Sequence, residues 1–162
     1  MEASSENHDS LEQMAEEIFA LTVMSWRQRL ARTAGPELSE SQFLALDSLV
    51  RATSRMTVGE IQRGIGVLPA QMSRIIRSLE TGFDKPLIRC ELNQTDKRKI
   101  DVSLSAEGKR VYDDFRWAHL SKTVDLLKRL EDSDRREFVR ICARIRQEAR
   151  AMPETVAGKN GE

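Results

Sequence analysis

Cysteine is scarce in this chain of 162 residues. Cys90 and Cys142 fall in different predicted elements, with no CxxC pair and no His/Cys cluster near either. That spacing argues against a structural disulfide or a zinc site and predicts two partly buried thiols. His8 and His119 have no set of neighbours suited to a metal. Long apolar runs are missing as well: none approaches the ~18 residues that span a bilayer, so no membrane association is expected. Met1 to Asp9 is polar and acidic, without the basic-then-apolar order of a secretory leader, and a cytoplasmic address is expected. There is no nucleophile elbow, phosphate-binding glycine loop, HExxH or paired His/Cys arrangement. The expectation is therefore a protein that is not an enzyme and carries no cofactor. No internal repeat is present.

Net charge is also absent, with 26 basic and 26 acidic residues, but the balance is local. Residues 1–50 carry three basic and nine acidic side chains, and residues 111–162 carry eleven and ten. Residues 51–110 hold twelve basic against seven acidic. Screening over about 8–10 Å hides distant charge, so the basic middle can meet an anionic polymer despite the neutral total.

What is present is mostly helical periodicity. Leu11, Met14, Ile18 and Leu21 form a stripe in a first helix from about Ser10 to Thr33, which Ala34-Gly35-Pro36 stops. Ser39 with Gln42 reads as a capping box opening a second helix, with Leu38 and Phe43 in the staple positions. Thr57 with Glu60, flanked by Met56 and Ile61, repeats that pattern for a short third helix ended by Gly64 and Gly66. Pro69 is a favoured first residue for a fourth helix, in which Met72, Ile75, Ile76 and Leu79 form the buried face. The period then changes. Leu87–Leu92 and the alternating Ile100–Leu104 predict two strands joined by the basic loop 93–99. Ser105 starts a long helix, and a break at Glu131-Asp132-Ser133 leads to a last one with Phe138, Ile141, Cys142, Ile145 and Ala149 as its stripe. The expected order is α-α-α-α-β-β-α-α, with room for a one-residue β bridge before the third helix. The fold class is mainly α with a small β-hairpin wing.

A helix, a tight glycine turn, a helix with a polar and basic outer face, and a cationic hairpin together form equipment for a duplex. A helix enters the major groove and a wing lies over the backbone or minor groove. At this point the chain resembles the MarR family of bacterial winged-helix regulators. The resemblance is carried by Thr57-Val58-Gly59-Glu60-Ile61, by Gly66 to Glu80, and above all by Asp96-Lys97-Arg98-Lys99 followed by Ile100 to Gly108. The family's wing reads as Asp-x-Arg, an alternating strand and a Ser/Thr-x-x-Gly helix start. The likeness covers about residues 38–130 as an order of elements. It departs at Leu68, where the family usually places a capping Ser or Thr: either the helix start frays there or Leu68 touches a thymine methyl. It departs again at Thr81–Pro86, a longer turn than usual.

Roles follow as expectations. Gln71 and Arg74 can make bidentate contacts to adenine and guanine edges, and Ser73 and Arg77 hold phosphates. By analogy with the family, Arg98 enters the minor groove. Asp96 orients Arg98, while Lys97 and Lys99 meet phosphates. The blander alternatives are that Arg74 and Arg77 pair with Glu80 or Glu60, that Gln71 is filler and that the loop is an ordinary solvated turn.

The terminal helices carry more apolar surface than a small winged helix needs, so a homodimer is expected. The resemblance implies two recognition helices facing successive major grooves of a pseudo-palindromic site. One domain is expected over 9–151: a DNA-binding lobe at 39–108, dimerisation helices at 10–33 and 105–150, and flexible tails at 1–8 and 153–162. The family further implies a transcription regulator, usually a repressor, released by a small aromatic or phenolic effector, with Trp26, Arg27 and Phe43 as candidates to line its pocket. The competing readings are a winged-helix protein-interaction module and a thiol-based redox sensor using Cys90 or Cys142.

Overall fold

The computed structural model describes residues 2–30 and 38–152, and the side chains of 10–24 and 38–152. The helix stop at 34–36 and the tail at 153–162 lie outside the described residues. The elements are α1 (Glu2–Leu30), α2 (Glu40–Arg51), β1 (Met56–Thr57), α3 (Val58–Ile65), α4 (Pro69–Thr81), β2 (Ile88–Leu92), β3 (Ile100–Leu104), α5 (Ala106–Leu127) and α6 (Asp132–Ala151). This is the expected class, six helices with a small sheet. The chain divides into two compact bodies, one up to His119 and one from Leu120 onward.

Within the first body the three strands are antiparallel in the order β1-β3-β2. Cys90 and Met56 both lie opposite Val102, so β3 is the central strand. The expected one-residue bridge is the two-residue strand β1. The alternation along β3 buries Val102 completely. It meets Leu46 of α2, Ile61 of α3, Met72, Ile75 and Leu79 of α4, and Ile88 of β2 in one apolar cluster.

Local chemistry explains where these elements begin. Ser39 and Thr57 each accept a hydrogen bond from the backbone of the third helical residue, and Gln42 and Glu60 return the bond to the cap backbone. Gly66 closes α3 with φ 69°, a left-handed conformation that costs glycine nothing. The long turn after α4 is held by Phe83, which packs against the core, and by the Leu87 N–H, which donates to the Leu79 carbonyl at 2.9 Å. Ser105 then joins the wing to α5. Its hydroxyl donates to the Pro86 carbonyl at 2.7 Å and accepts from the Gly108 N–H at 2.9 Å.

Two boundaries differ from the sequence reading. The backbone of α1 is helical from Glu2, although 1–8 reads as a tail. No glycine or proline interrupts residues 2–30, and Glu2 and Glu6 sit where the helix dipole favours negative charge. In the second body, Asp132 and Ser133 belong to the first turn of α6, where Asp132 and Asp134 are again placed favourably. The break therefore falls at 128–131. Arg135 bridges it by donating to the Leu127 and Lys128 carbonyls and pairing with Asp132.

Candidate nucleic-acid interface

The buried face of α4, Met72, Ile75 and Leu79, fixes what its other faces present. Ser73, Arg74 and Arg77 point away from the core and are exposed. Neither guanidinium makes an ion pair or hydrogen bond among the described residues. Their expected rivals are otherwise occupied: Glu60 accepts from the N–H and hydroxyl of Thr57 at 2.7 and 2.8 Å, and Glu80 lies beside Cys90. The hydrogen bonds from Thr57 hold the Glu60 carboxyl below its ordinary pKa. Ser73 is less free than expected, because its hydroxyl donates to the Pro69 carbonyl at 3.1 Å.

Gln71 sits on the flank of α4 that faces α2, with its amide nitrogen 3.5 Å from the Ser41 hydroxyl. That separation is at the limit of a hydrogen bond, and the side chain remains exposed. One residue that sequence reasoning assigned only to capping does more. While Gln42 Oε1 accepts from the Ser39 N–H at 2.7 Å, its Nε2 donates to Ser78 Oγ on α4 at 2.8 Å.

The wing tip is built from Asn93. Its Oδ1 accepts from the N–H groups of Thr95 and Asp96 at 3.0 and 2.8 Å, and its Nδ2 donates to Asp101 at 2.8 Å. Asn93 went unassigned in the sequence, although an asparagine just after a strand is a recognised turn former. Asp96 turns the tip a second time, accepting from the Arg98 N–H at 3.1 Å. It also lies 3.5 Å from Arg98 Nε and 3.7 Å from Lys99 Nζ. Such solvated pairs hold little energy. The Arg98 side chain is 94% exposed, and Lys97 and Lys99 are exposed too. The cations are thus not buried against the protein's own acids.

Trp26 and Arg27 lie on the backbone of α1, but their side chains are outside the described residues. Phe43, the third candidate for an effector pocket, stacks on Tyr112 with ring centres 5.2 Å apart and meets Phe115 at 4.9 Å. Phe115 in turn meets the ring of His119. Tyr112 donates to Asp47 at 2.6 Å, and Asp47 also accepts from Arg51 at 2.6 Å. Burial alone would raise the Asp47 pKa, but the bonds from Arg51 and Tyr112 outweigh it and hold the carboxyl low. Both cysteines are unpaired and half-buried. Burial, then the charge and hydrogen bond of Glu80, push the Cys90 thiol up to about 11. Among the described residues no His/Cys/Asp/Glu group is suited to a metal, and no helix is long and apolar enough to cross a membrane.

A helix-turn-helix over Thr57–Thr81 followed by a hairpin wing defines a winged-helix protein. More narrowly, the fold is the MarR type, with long helices before and after the winged lobe. A MarR family protein from Bacillus stearothermophilus superposes with TM-score 0.70 at 17% identity, covering 90% of this chain and 96% of that one. The YusO protein of Bacillus subtilis gives 0.58 at 22% identity, over 90% and 96%. BpsR of Bordetella bronchiseptica, whose DNA binding is regulated by 6-hydroxynicotinic acid, gives 0.58 at 15% identity, over 82% and 98%. The sequence matches no protein-family model and no curated protein.

Proposed function

We propose that this chain is a transcription regulator that binds double-stranded DNA in a sequence-specific manner. The observation that carries the reading is the pair of guanidiniums of Arg74 and Arg77, unpartnered among the described residues, on the outer face of α4, in the same body as an exposed wing tip of Lys97, Arg98 and Lys99. Uncommitted cations on a helix of groove-reading size have a natural counterpart in phosphates and guanine edges. In this reading Arg74 and Gln71 contact bases, and Arg77, Lys97 and Lys99 hold phosphates. Ser73 approaches the backbone, and Arg98 enters the minor groove from the turn that Asp96 shapes. No catalytic chemistry is assigned to the chain.

The lobe at 39–108 does the reading, and the segments at 10–33 and 105–150 join two copies on a pseudo-palindromic operator. Exposed apolar side chains on α1 (Leu11, Met14, Ile18, Phe19, Leu21) and on α6 (Phe138, Ile141, Ile145) support that role. The regulator acts as a repressor released by a small aromatic or phenolic molecule, by extension from BpsR, with Phe43, Trp26 and Arg27 near the effector. A thiol switch at Cys90 is disfavoured, because a thiol held protonated is a poor nucleophile.

The test is retention of random duplex by the full chain at low ionic strength, followed by a salt titration. Binding should fall with log salt at a slope of about −0.9 per phosphate engaged. No retention of any duplex would overturn the reading.

A further inference from the structure

We propose that Leu68 is a specificity-determining residue that reads the 5-methyl group of a thymine in the major groove. The inference rests on the duplex-binding reading above. At 74% exposure, Leu68 is the most exposed large apolar side chain among the described residues. It stands at the tip of α4 as its N-cap, in extended conformation with φ −70° and ψ 152°, and no side chain caps the turn. Pro69 and Ala70 follow it, also exposed. The end of the recognition helix is thus an uncharged, apolar point, although Arg74 and Arg77 lie further along and a cationic wing follows.

That combination calls for a partner with both characters. A surface meant only for phosphates gains nothing from three consecutive apolar residues at its leading end. A surface meant for an apolar protein partner gains nothing from the exposed cations behind them. The major-groove edge of an A·T pair supplies what is missing, since the thymine methyl is the one apolar group a duplex displays there. Among the described residues, no packing role for the Leu68 side chain is found. It is outside the apolar core, and its backbone carbonyl, not its side chain, accepts the first helical bond, from the Met72 N–H at 2.9 Å. A serine in its place would cap the free N–H groups of Ala70 and Gln71, so an apolar residue is held here at a cost to the helix.

The rival occupant of this tip is a phosphate on those same N–H groups, and the test separates the two. A duplex is selected from random sequence with the full-length protein. Each thymine is then replaced in turn by deoxyuridine, which removes the methyl and leaves pairing intact. At one thymine in each half-site the wild type should lose about fourfold in affinity, the worth of one buried methyl. Leu68→Ala should bind the thymine duplex more weakly and show no discrimination between thymine and uracil there. Melting curves for wild type and Leu68→Ala confirm that the variant is folded, as its exposure leads one to expect. Equal losses in wild type and variant would assign the methyl to another side chain and overturn the proposal. Indifference of the wild type to every uracil, or a selected site without thymine, would overturn it in favour of the phosphate. Failure to retain any duplex at all would instead remove the functional reading beneath it.

Discussion

Two side chains of the proposed interface make opposite predictions because their surroundings differ. Arg98 is almost wholly solvent-exposed and tethered only loosely to Asp96, so it acts as a charge. Arg98→Ala should weaken all duplexes by a similar factor and make the salt slope shallower by about 0.9. Gln71 is neutral and stays exposed beside Ser41, so Gln71→Ala should leave the salt slope intact and relax preference at one base position. Binding isotherms on a set of single-base variants at several salt concentrations distinguish the two. An unchanged affinity and slope for Arg98→Ala would remove the wing from the interface. A third residue sets a pH dependence. The carboxyl of Asp47 is held below its ordinary value of 3.8, so it binds protons more weakly when folded than when unfolded. Its contribution is complete above that ordinary value and is lost as pH falls through the lowered one. The difference in urea midpoint between wild type and Asp47→Asn should therefore shrink from about pH 6 to about pH 3. A constant difference would mean that the bonds from Tyr112 and Arg51 contribute nothing.

At the level of elements, the start of α5 is packed closely against the turn that precedes β2. A Cβ on Gly108 would lie 2.0 Å from the Leu87 carbonyl oxygen, a backbone atom that cannot move aside without disturbing β2. Gly108→Ala should cost about 3 kcal/mol in chemical denaturation, and Gly64→Ala, where a Cβ meets open space, should cost nothing comparable. The elements that were legible in the sequence are those defined within a few residues. The boxes at Ser39 and Thr57, the turn at Gly66, the proline start of α4 and the alternation of β3 all formed as read. What escaped the sequence depends on contacts far along the chain. Gln42 meets Ser78 across 36 positions, a partnership that no local pattern encodes. The turn at Asn93 gives the adjacent cationic run its shape through bonds from the Thr95 and Asp96 N–H groups. The break between α5 and α6 was misplaced because Asp132 and Ser133 suit a helix start as well as a loop.

For the molecule as a whole, the question is what covers its apolar surface. Ile18 is 55% exposed and Phe19 63% exposed on α1, and exposed apolar patches of this kind mark interaction surfaces. Sedimentation of the full chain should show a dimer at micromolar concentration. Ile18→Asp should shift it toward monomer and reduce affinity for a duplex carrying two half-sites, while a single half-site is less affected. A monomeric wild type that still binds a two-half-site duplex tightly would dismiss the pairing role of α1.

The side chain of Gln42 gives the lobe a mechanical consequence. A single carboxamide fastens the opening turn of α2 with its oxygen and tethers α4 with its nitrogen. Unwinding that turn carries the tether away with it. The next residue is Phe43, whose ring belongs to the stack with Tyr112 and Phe115. Pressure on the stack is thus one peptide bond from the fastening that ties α2 to α4.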